Sequence, residues 1–166
     1  MNPIILEGPD CAGKTTLAKE IEKCGYRIIH NGPPSSEDLF KVYSDQINTA
    51  AQTPTVFDRL HIGETVYGPI LRGKSLISQV QFEELNNKIE RMDGIIVICL
   101  PSWRNIIDCW SARTGQEHIK DYGQLRESYR DFCNILEDTY KGYLHYDYNR
   151  YNTESFAKAL VELRPA

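Results

Sequence analysis

The stretch Ile4-Ile5-Leu6-Glu7-Gly8-Pro9-Asp10-Cys11-Ala12-Gly13-Lys14-Thr15-Thr16 decides how the rest of the chain is read. Its first three residues form a short apolar run, and runs of this kind closed by a polar or breaking residue read as strands buried on both faces. Directly after it, Gly8 to Thr15 matches G-x-x-x-x-G-K-[ST], and a helical pattern begins at Lys14. Successive backbone N–H groups in such a loop form an anion nest, and the helix N-terminus adds its positive dipole. The Lys14 ammonium is then placed for the outer phosphates of ATP or GTP, and the Thr15 hydroxyl for Mg²⁺. Average residue frequencies make a chance match in a chain this long roughly a 1-in-200 event, before the strand and helix context is counted.

Working outward, Thr55–Asp58 and Ile95–Leu100 are two more apolar runs rich in β-branched residues, so with Pro3–Glu7 they predict a parallel sheet. Weaker strand candidates are Tyr26–His30 and Leu144–Tyr148. Helical periodicity covers Lys14–Lys23, Ser36–Ala50, Ser78–Met92, Ser102–Ala112, Gln124–Tyr140 and Thr153–Leu163. Ser36, followed by Glu37 and Asp38, reads as a cap with an acidic first turn. Strands alternating with helices predict an α/β fold. Pro69–Ser75 and Arg113–Tyr122, which mix glycine with charges, read as loops. In open α/β sheets ligands sit beyond the carboxyl ends of strands, so the loops that follow strands are where chemistry is expected.

The 166 residues are about one domain's length, and 41% hydrophobic with 25% charged residues excludes a disordered chain. A net charge of −4 gives no general attraction to nucleic acid or to an anionic membrane. Phosphate binding must then be local, and neither class of partner is expected. The five cysteines, at 11, 24, 99, 109 and 133, include no C-x-x-C pair and no histidines at zinc spacing, which fits free thiols in a reducing compartment. No export signal or long apolar stretch is read, so a cytoplasmic location is expected.

The second strand end, Thr55-Val56-Phe57-Asp58-Arg59, carries neighbouring opposite charges. Such a carboxylate holds Mg²⁺ through water, and such an arginine clamps an acceptor phosphate; the plainer alternative is a surface ion pair closing the strand.

With these residues in place, Leu6 to Thr16 resembles the phosphate loop of thymidylate kinases, and Phe57-Asp58-Arg59 is similar to their second motif. Phe57 to Lys74, with Leu100-Pro101-Ser102-Trp103, looks like the related phage-type deoxynucleoside monophosphate kinases, and the likeness extends thinly through Arg113 and Gly123-Gln124-Leu125-Arg126. The resemblance implies a three-layer P-loop nucleoside-monophosphate-kinase-like fold in one domain, 1–166, with about five parallel strands and a short lid near 113–122. It implies a donor site for ATP with Mg²⁺, built from Gly8, Asp10, Cys11, Ala12, Gly13, Lys14, Thr15 and Thr16, with Arg113 over the adenine. Thr15 and Asp58 are the implied metal residues. Asp10, Phe40, Arg59 and Tyr67 are the implied acceptor residues: Asp10 at the sugar 3′-hydroxyl, Arg59 at the 5′-phosphate, Tyr67 beside the 2′ position, and Phe40 stacked on the base. Lys14, Asp58, Arg59 and Arg113 would carry catalysis. Relatives pair as dimers, so a homodimer is within the implication.

The chain departs from the family in one respect. Thymidylate kinases place a catalytic arginine in the phosphate loop or in the lid, but position 11 is cysteine, and Thr114–Tyr122 offers His118 and Lys120 with no arginine. Losing such an arginine costs about 10³-fold in rate, so slow turnover or another cation, Arg113, Lys120 or Arg126, is expected. The expected reaction is transfer of the ATP γ-phosphoryl group to a deoxynucleoside monophosphate, thymidine monophosphate first and guanine or modified bases next. The alternatives are a deoxynucleoside kinase with Asp58 as base, and a nucleotide-binding switch without catalysis.

Overall fold

The computed structural model describes residues 2–35, 38–113, 119, 121–138 and 141–163. Among these residues five strands, β1 (Ile4–Glu7), β2 (Arg27–His30), β3 (Thr55–Asp58), β4 (Ile95–Cys99) and β5 (Leu144–Tyr146), form one sheet. Its order is β2-β3-β1-β4-β5 and every pairing is parallel. Among the described residues seven helices surround it: α1 (Lys14–Lys23), α2 (Leu39–Ala50), α3 (His61–Arg72), α4 (Gln79–Glu90), α5 (Trp103–Ala112), α6 (Tyr122–Glu137) and α7 (Thr153–Glu162).

β1 and β3 are buried along their whole length and β4 over Val97–Cys99, and the period-2 alternation of their side chains divides them between two helical layers. Ile4, Leu6, Val56, Val97 and Cys99 pack with Leu17, Ala18 and Ile21 of α1, Ile106 of α5 and Leu160 of α7. Ile5 and Phe57 face the other way, onto Leu39, Tyr43 and Ile47 of α2 and Leu85 and Ile89 of α4. Ile98 joins Ile62 and Val66 of α3 and Phe132 of α6 on that side.

Elements expected from the sequence recur with shifted ends. β2 begins one residue later than Tyr26, and β5 stops at Tyr146. α2 begins at Leu39 with Asp38 as its cap, the Asp38 carboxylate accepting from Lys41 N–H at 3.2 Å. The expected start at Ser36 is thereby corrected, and Ser36 and Glu37 lie outside the described residues. α4 starts with a capping box in which Ser78 and Gln81 each accept from the other's backbone.

The larger correction is α3. Pro69–Ser75 was expected to be a loop, yet Pro69 to Arg72 form the last turn of a twelve-residue helix that ends at Gly73 in the left-handed conformation. The helix carries two glycines and a proline, and it buries His61, Ile62, Gly63, Glu64, Val66 and Gly68. Those glycines and the proline read locally as breakers, and that is what hid the helix in the sequence. Gly68 is required by close approach: a Cβ there would stand 2.7 Å from Glu64 Oε1 and 2.9 Å from the Lys74 carbonyl oxygen. The α6 helix likewise starts at Tyr122, two residues before the expected Gln124, and Asp121 caps it through Gln124 N–H at 3.0 Å. No helix among the described residues is long and apolar enough to cross a membrane.

Candidate functional site

The sheet order reverses at β1, whose neighbours β3 and β4 are both later in the chain, and the loop after β1 opens at this switch point. Three of its residues take positive φ: Gly8 (147°), Cys11 (65°) and Gly13 (83°). At Gly8 no side chain fits, since a Cβ would lie 2.1 Å from the Cys99 carbonyl oxygen at the end of β4. At Gly13 it would meet the Tyr148 ring at 2.9 Å. The loop is therefore wedged between β4 and the segment after β5.

Lys14 is 5% exposed, and its ammonium donates to the carbonyls of Gly8 (2.8 Å) and Pro9 (2.5 Å). Burial first, and then Arg59, pull its pKa down to about 8 against the opposing pull of Asp10 and Asp58. The ammonium thus bridges two successive carbonyls at the start of the loop. Ala12 is buried beside it, and Thr16 is exposed on the first turn of α1.

Thr15 Oγ1 donates to Asp58 Oδ2 at 2.7 Å, which joins the end of the loop to the end of β3. The same oxygen lies 2.9 Å from His30 Nδ1, at the end of β2. Burial raises the Asp58 pKa, but the hydrogen bonds from Thr15 and His30 and the charge of Lys14 outweigh it, and the net direction is down. Asp58 Oδ1 is buried without a hydrogen-bond partner. A hydroxyl beside an ionised carboxylate with a spare buried lone pair fits a hydrated Mg²⁺, which takes few protein ligands and keeps several waters. No group of three or more His, Cys, Asp or Glu residues able to enclose a metal exists among the described residues. Thr15 and Asp58 are the residues that would hold the ion, and it would supply charge neutralisation at the phosphates.

Arg59 adopts a positive φ of 73°. Its backbone is pinned on both sides, N–H to the Leu6 carbonyl at 3.0 Å and carbonyl to Asn31 Nδ2 at 2.8 Å. The guanidinium Nη2 donates to Asp10 Oδ1 at 2.6 Å, while Nε is buried and unpaired. Asp10 Oδ2 accepts a longer bond, 3.4 Å, from Ile119 N–H, and Trp110 Nε1 of α5 donates to the Ile119 carbonyl at 3.1 Å. Asp10 therefore contacts the arginine after β3 and one residue of the expected lid. The rest of that lid, residues 114–118 with His118, and Lys120, lies outside the described residues. Arg113 ends α5, and its charge acts on Cys11 and Tyr148, which places it near the loop. Burial and the adjacent Cys109 push the Cys11 thiol up to about 12, so it is protonated at neutral pH. Arg126 stands apart, in a groove with Trp103, Tyr129 and Arg130.

A cavity of about 220 Å³ opens beside Arg59, walled by Asn31, Tyr43, Gly63, Glu64, Tyr67 and Arg72 among others. Tyr67 is half-buried, reaches the Gly8 carbonyl at 3.3 Å, and packs edge-on against Phe132 at 6.0 Å. The cavity and the phosphate loop thus meet at Arg59, bonded to Asp10, and at Tyr67, bonded to the Gly8 carbonyl. Phe40 is elsewhere: it packs against the cluster of Ile5 and Phe57, and the aromatic that α2 presents to the cavity is Tyr43.

Several contributors were not singled out in the sequence. Glu7 is fully buried at the end of β1, and its Oε1 accepts from the N–H groups of Leu60 (2.9 Å) and Ile62 (3.1 Å), capping the entry to α3. Burial pushes its pKa up to about 7 in spite of those bonds. A carboxylate closing an apolar strand was the available signal. His30 and Asn31 carried none, because their role depends on β2 lying beside β3. Glu64 and Arg72 belong to the unrecognised helix.

No family model matches the sequence. The chain is 26% identical over 172 residues to the SPbeta prophage-derived uncharacterized protein YorR of Bacillus subtilis strain 168, spanning 98% of this chain and 99% of that protein. The crystal structure of YorR in complex with phosphorylated GDP superposes with a TM-score of 0.77 at 21% identity, over 96% of this chain and 94% of YorR. Deoxyadenosine kinase from M. mycoides with products dCMP and dCDP gives 0.61 at 15% identity, over 96% of each chain. Shikimate kinase from Acinetobacter baumannii in complex with shikimate gives 0.56 at 14% identity, over 98% of this chain and 92% of that enzyme. The five-stranded parallel sheet and its helices therefore have the fold of P-loop-like kinases, a wider group than the thymidylate kinases whose motifs the sequence resembles.

Proposed function

We propose that this protein is an ATP-dependent phosphotransferase that moves the γ-phosphoryl group of ATP to the 5′-phosphate of a deoxynucleoside monophosphate. The observation that carries the reading is the Asp10–Arg59 ion pair, 2.6 Å long, because it ties the phosphate loop to an adjoining cavity walled by that arginine. A site for the donor alone would not need a cation facing a second cavity. Lys14, Mg²⁺ held near Thr15 and Asp58, and Arg113 would neutralise the donor phosphates, while Arg59 would grip the acceptor phosphate. An already ionised acceptor needs positioning and charge neutralisation more than a base. Asp10 would meet the sugar hydroxyl, and Tyr67 would crowd the 2′ side.

A second reading, a deoxynucleoside kinase acting on a 5′-hydroxyl, is favoured by one observation. Asp58 is hydrogen-bonded by His30 at 2.9 Å, an arrangement that orients a carboxylate for use as a general base. Incubating the protein with ATP, Mg²⁺ and a panel of deoxynucleosides and their monophosphates, with product formation as readout, separates the two. The monophosphate reading expects diphosphate products, and a Lys14→Ala variant about 10² to 10³-fold slower with its fold intact. Products formed only from nucleosides transfer the assignment to the second reading. Undiminished turnover in folded Lys14→Ala overturns the phosphate-loop assignment.

A further inference from the structure

The acceptor cavity has a second arginine in its wall, Arg72. Gly63, Tyr67 and Leu71 line it at successive four-residue steps of α3, so one face of that helix forms a cavity wall. Arg59 precedes the helix and Arg72 is its last residue, and twelve residues at 1.5 Å each make the helix about 18 Å long. The two side chains are turned to different partners: Arg59 to Asp10 of the phosphate loop, and Arg72 back along α3 to Glu64 in its first turn. If Arg59, tied to the phosphate loop, takes the phosphate, as the proposed function has it, Arg72 is the cation of the cavity wall left for the base.

What Arg72 shows the cavity is set by Glu64. Arg72 Nη2 donates to both carboxylate oxygens, at 2.5 and 2.7 Å, and Glu64 Oε1 also accepts from Leu76 N–H at 2.7 Å. The Glu64 side chain is 3% exposed and that of Arg72 is 29% exposed. The carboxylate is thus spent on orienting its partner, and the accessible member of the pair is the donor. Among the described residues no hydrogen bond uses Arg72 Nε or Nη1. Buried Tyr43 of α2, which also lines the cavity, feels the charges of Glu64, Arg72 and Arg59 together, which places it near both arginines.

We infer that Arg72, held by Glu64, is the residue that selects the acceptor base, and that it selects bases whose edge carries a carbonyl acceptor, guanine or thymine, over those with an exocyclic amine there, adenine or cytosine. An arginine offers only donors. It matches the O6 and N7 acceptors of guanine or the O4 of thymine, and it meets the amino group of adenine or cytosine with a donor facing a donor.

Binding and turnover are measured separately, so that this inference and the kinase reading can fail independently. Calorimetry without ATP, on dGMP, dTMP, dAMP and dCMP, is expected to rank dGMP or dTMP at least tenfold tighter than the other two, and which of them leads is read directly. Arg72→Gln keeps an amide donor for Glu64, replaces the all-donor edge with a donor and an acceptor, and suits adenine. It is expected to weaken dGMP and dTMP about 10- to 100-fold while dAMP holds or gains, with Arg72→Lys in between. Circular dichroism and the melting transition confirm that both variants are folded. Tightest binding of dAMP or dCMP by the unaltered protein, equal losses on all four in folded variants, or no binding of any of them overturns the inference. Bound monophosphates that ATP and Mg²⁺ never convert overturn the kinase reading and leave the base ranking standing.

Discussion

At the scale of single residues, the phosphate loop depends on atoms that are missing as much as on those present. Gly8 can lie against the Cys99 carbonyl only because it has no Cβ, and its φ of 147° is closed to other residues. Gly8→Ala is therefore expected to cost more than about 2 kcal/mol, as local strain and a displaced loop, visible as a lower urea midpoint with reduced ATP binding. A variant as stable as the original would mean that β4 and the loop are not in contact. Gly8, Lys14 and Thr15 were legible in the sequence because the phosphate-loop motif runs over consecutive residues and gives each position a fixed task, whatever distant partners it meets. Asp58 and Arg59 were legible because they end a strand. His30 could not be read, since its partner is 28 residues away and only the β2–β3 register brings them together. Phe40 and Tyr43 are three residues apart on α2, and the choice between them depends on how the helix is rotated, which periodicity sets too coarsely.

Among the elements, α3 was the one the sequence concealed, and it gives the acceptor wall Gly63, Glu64, Tyr67, Leu71 and Arg72. Gly63, Gly68 and Pro69 signal interruption when read locally, but here the glycines admit Glu7, Glu64 and the 74–75 backbone at close range. The helix begins where Glu7 accepts from Leu60 and Ile62, so a strand residue far away in sequence supplies its cap. Glu7→Ala would leave both N–H groups buried and unpaired, and should destabilise the protein by about 2 to 4 kcal/mol in chemical denaturation. A loss below about 0.5 kcal/mol would show that water or another group caps the helix. The strands and the other helices, by contrast, were legible to within a few residues, because apolar runs and amphipathic periods persist wherever one face meets the sheet.

For the whole molecule, stability against pH is set in part by two buried groups that pull in opposite directions. Burial lowers the His61 pKa from 6.5 to about 4, so below pH 6.5 the unfolded chain takes up a proton that the folded protein refuses. That contribution is present above 6.5 and is lost as the pH falls towards 4. Glu7 is raised from 4.5 to about 7, so its contribution is present below 4.5 and is lost as the pH rises through 7. Each shift corresponds to about 3 kcal/mol, and the two offset each other between about pH 4.5 and 6.5. Glu7→Gln removes one side of that balance. Its stability relative to the original should climb as the pH goes from 4.5 to 7, and a difference that does not vary with pH would show that Glu7 does not titrate in that range. The central place of β1 has a further consequence, for the order in which the protein comes into being. Leu6 pairs with Asp58 and Glu7 with Ile98, partners 52 and 91 residues further along the chain. At 5–20 residues per second, the ribosome takes roughly 5 to 20 s to reach β4 after it has made β1. Until then the segment carrying Gly8 to Thr15 has only one of its two flanking strands and no Cys99 carbonyl to rest on, so the nucleotide pocket is among the first parts of the chain to be synthesised and among the last to take shape.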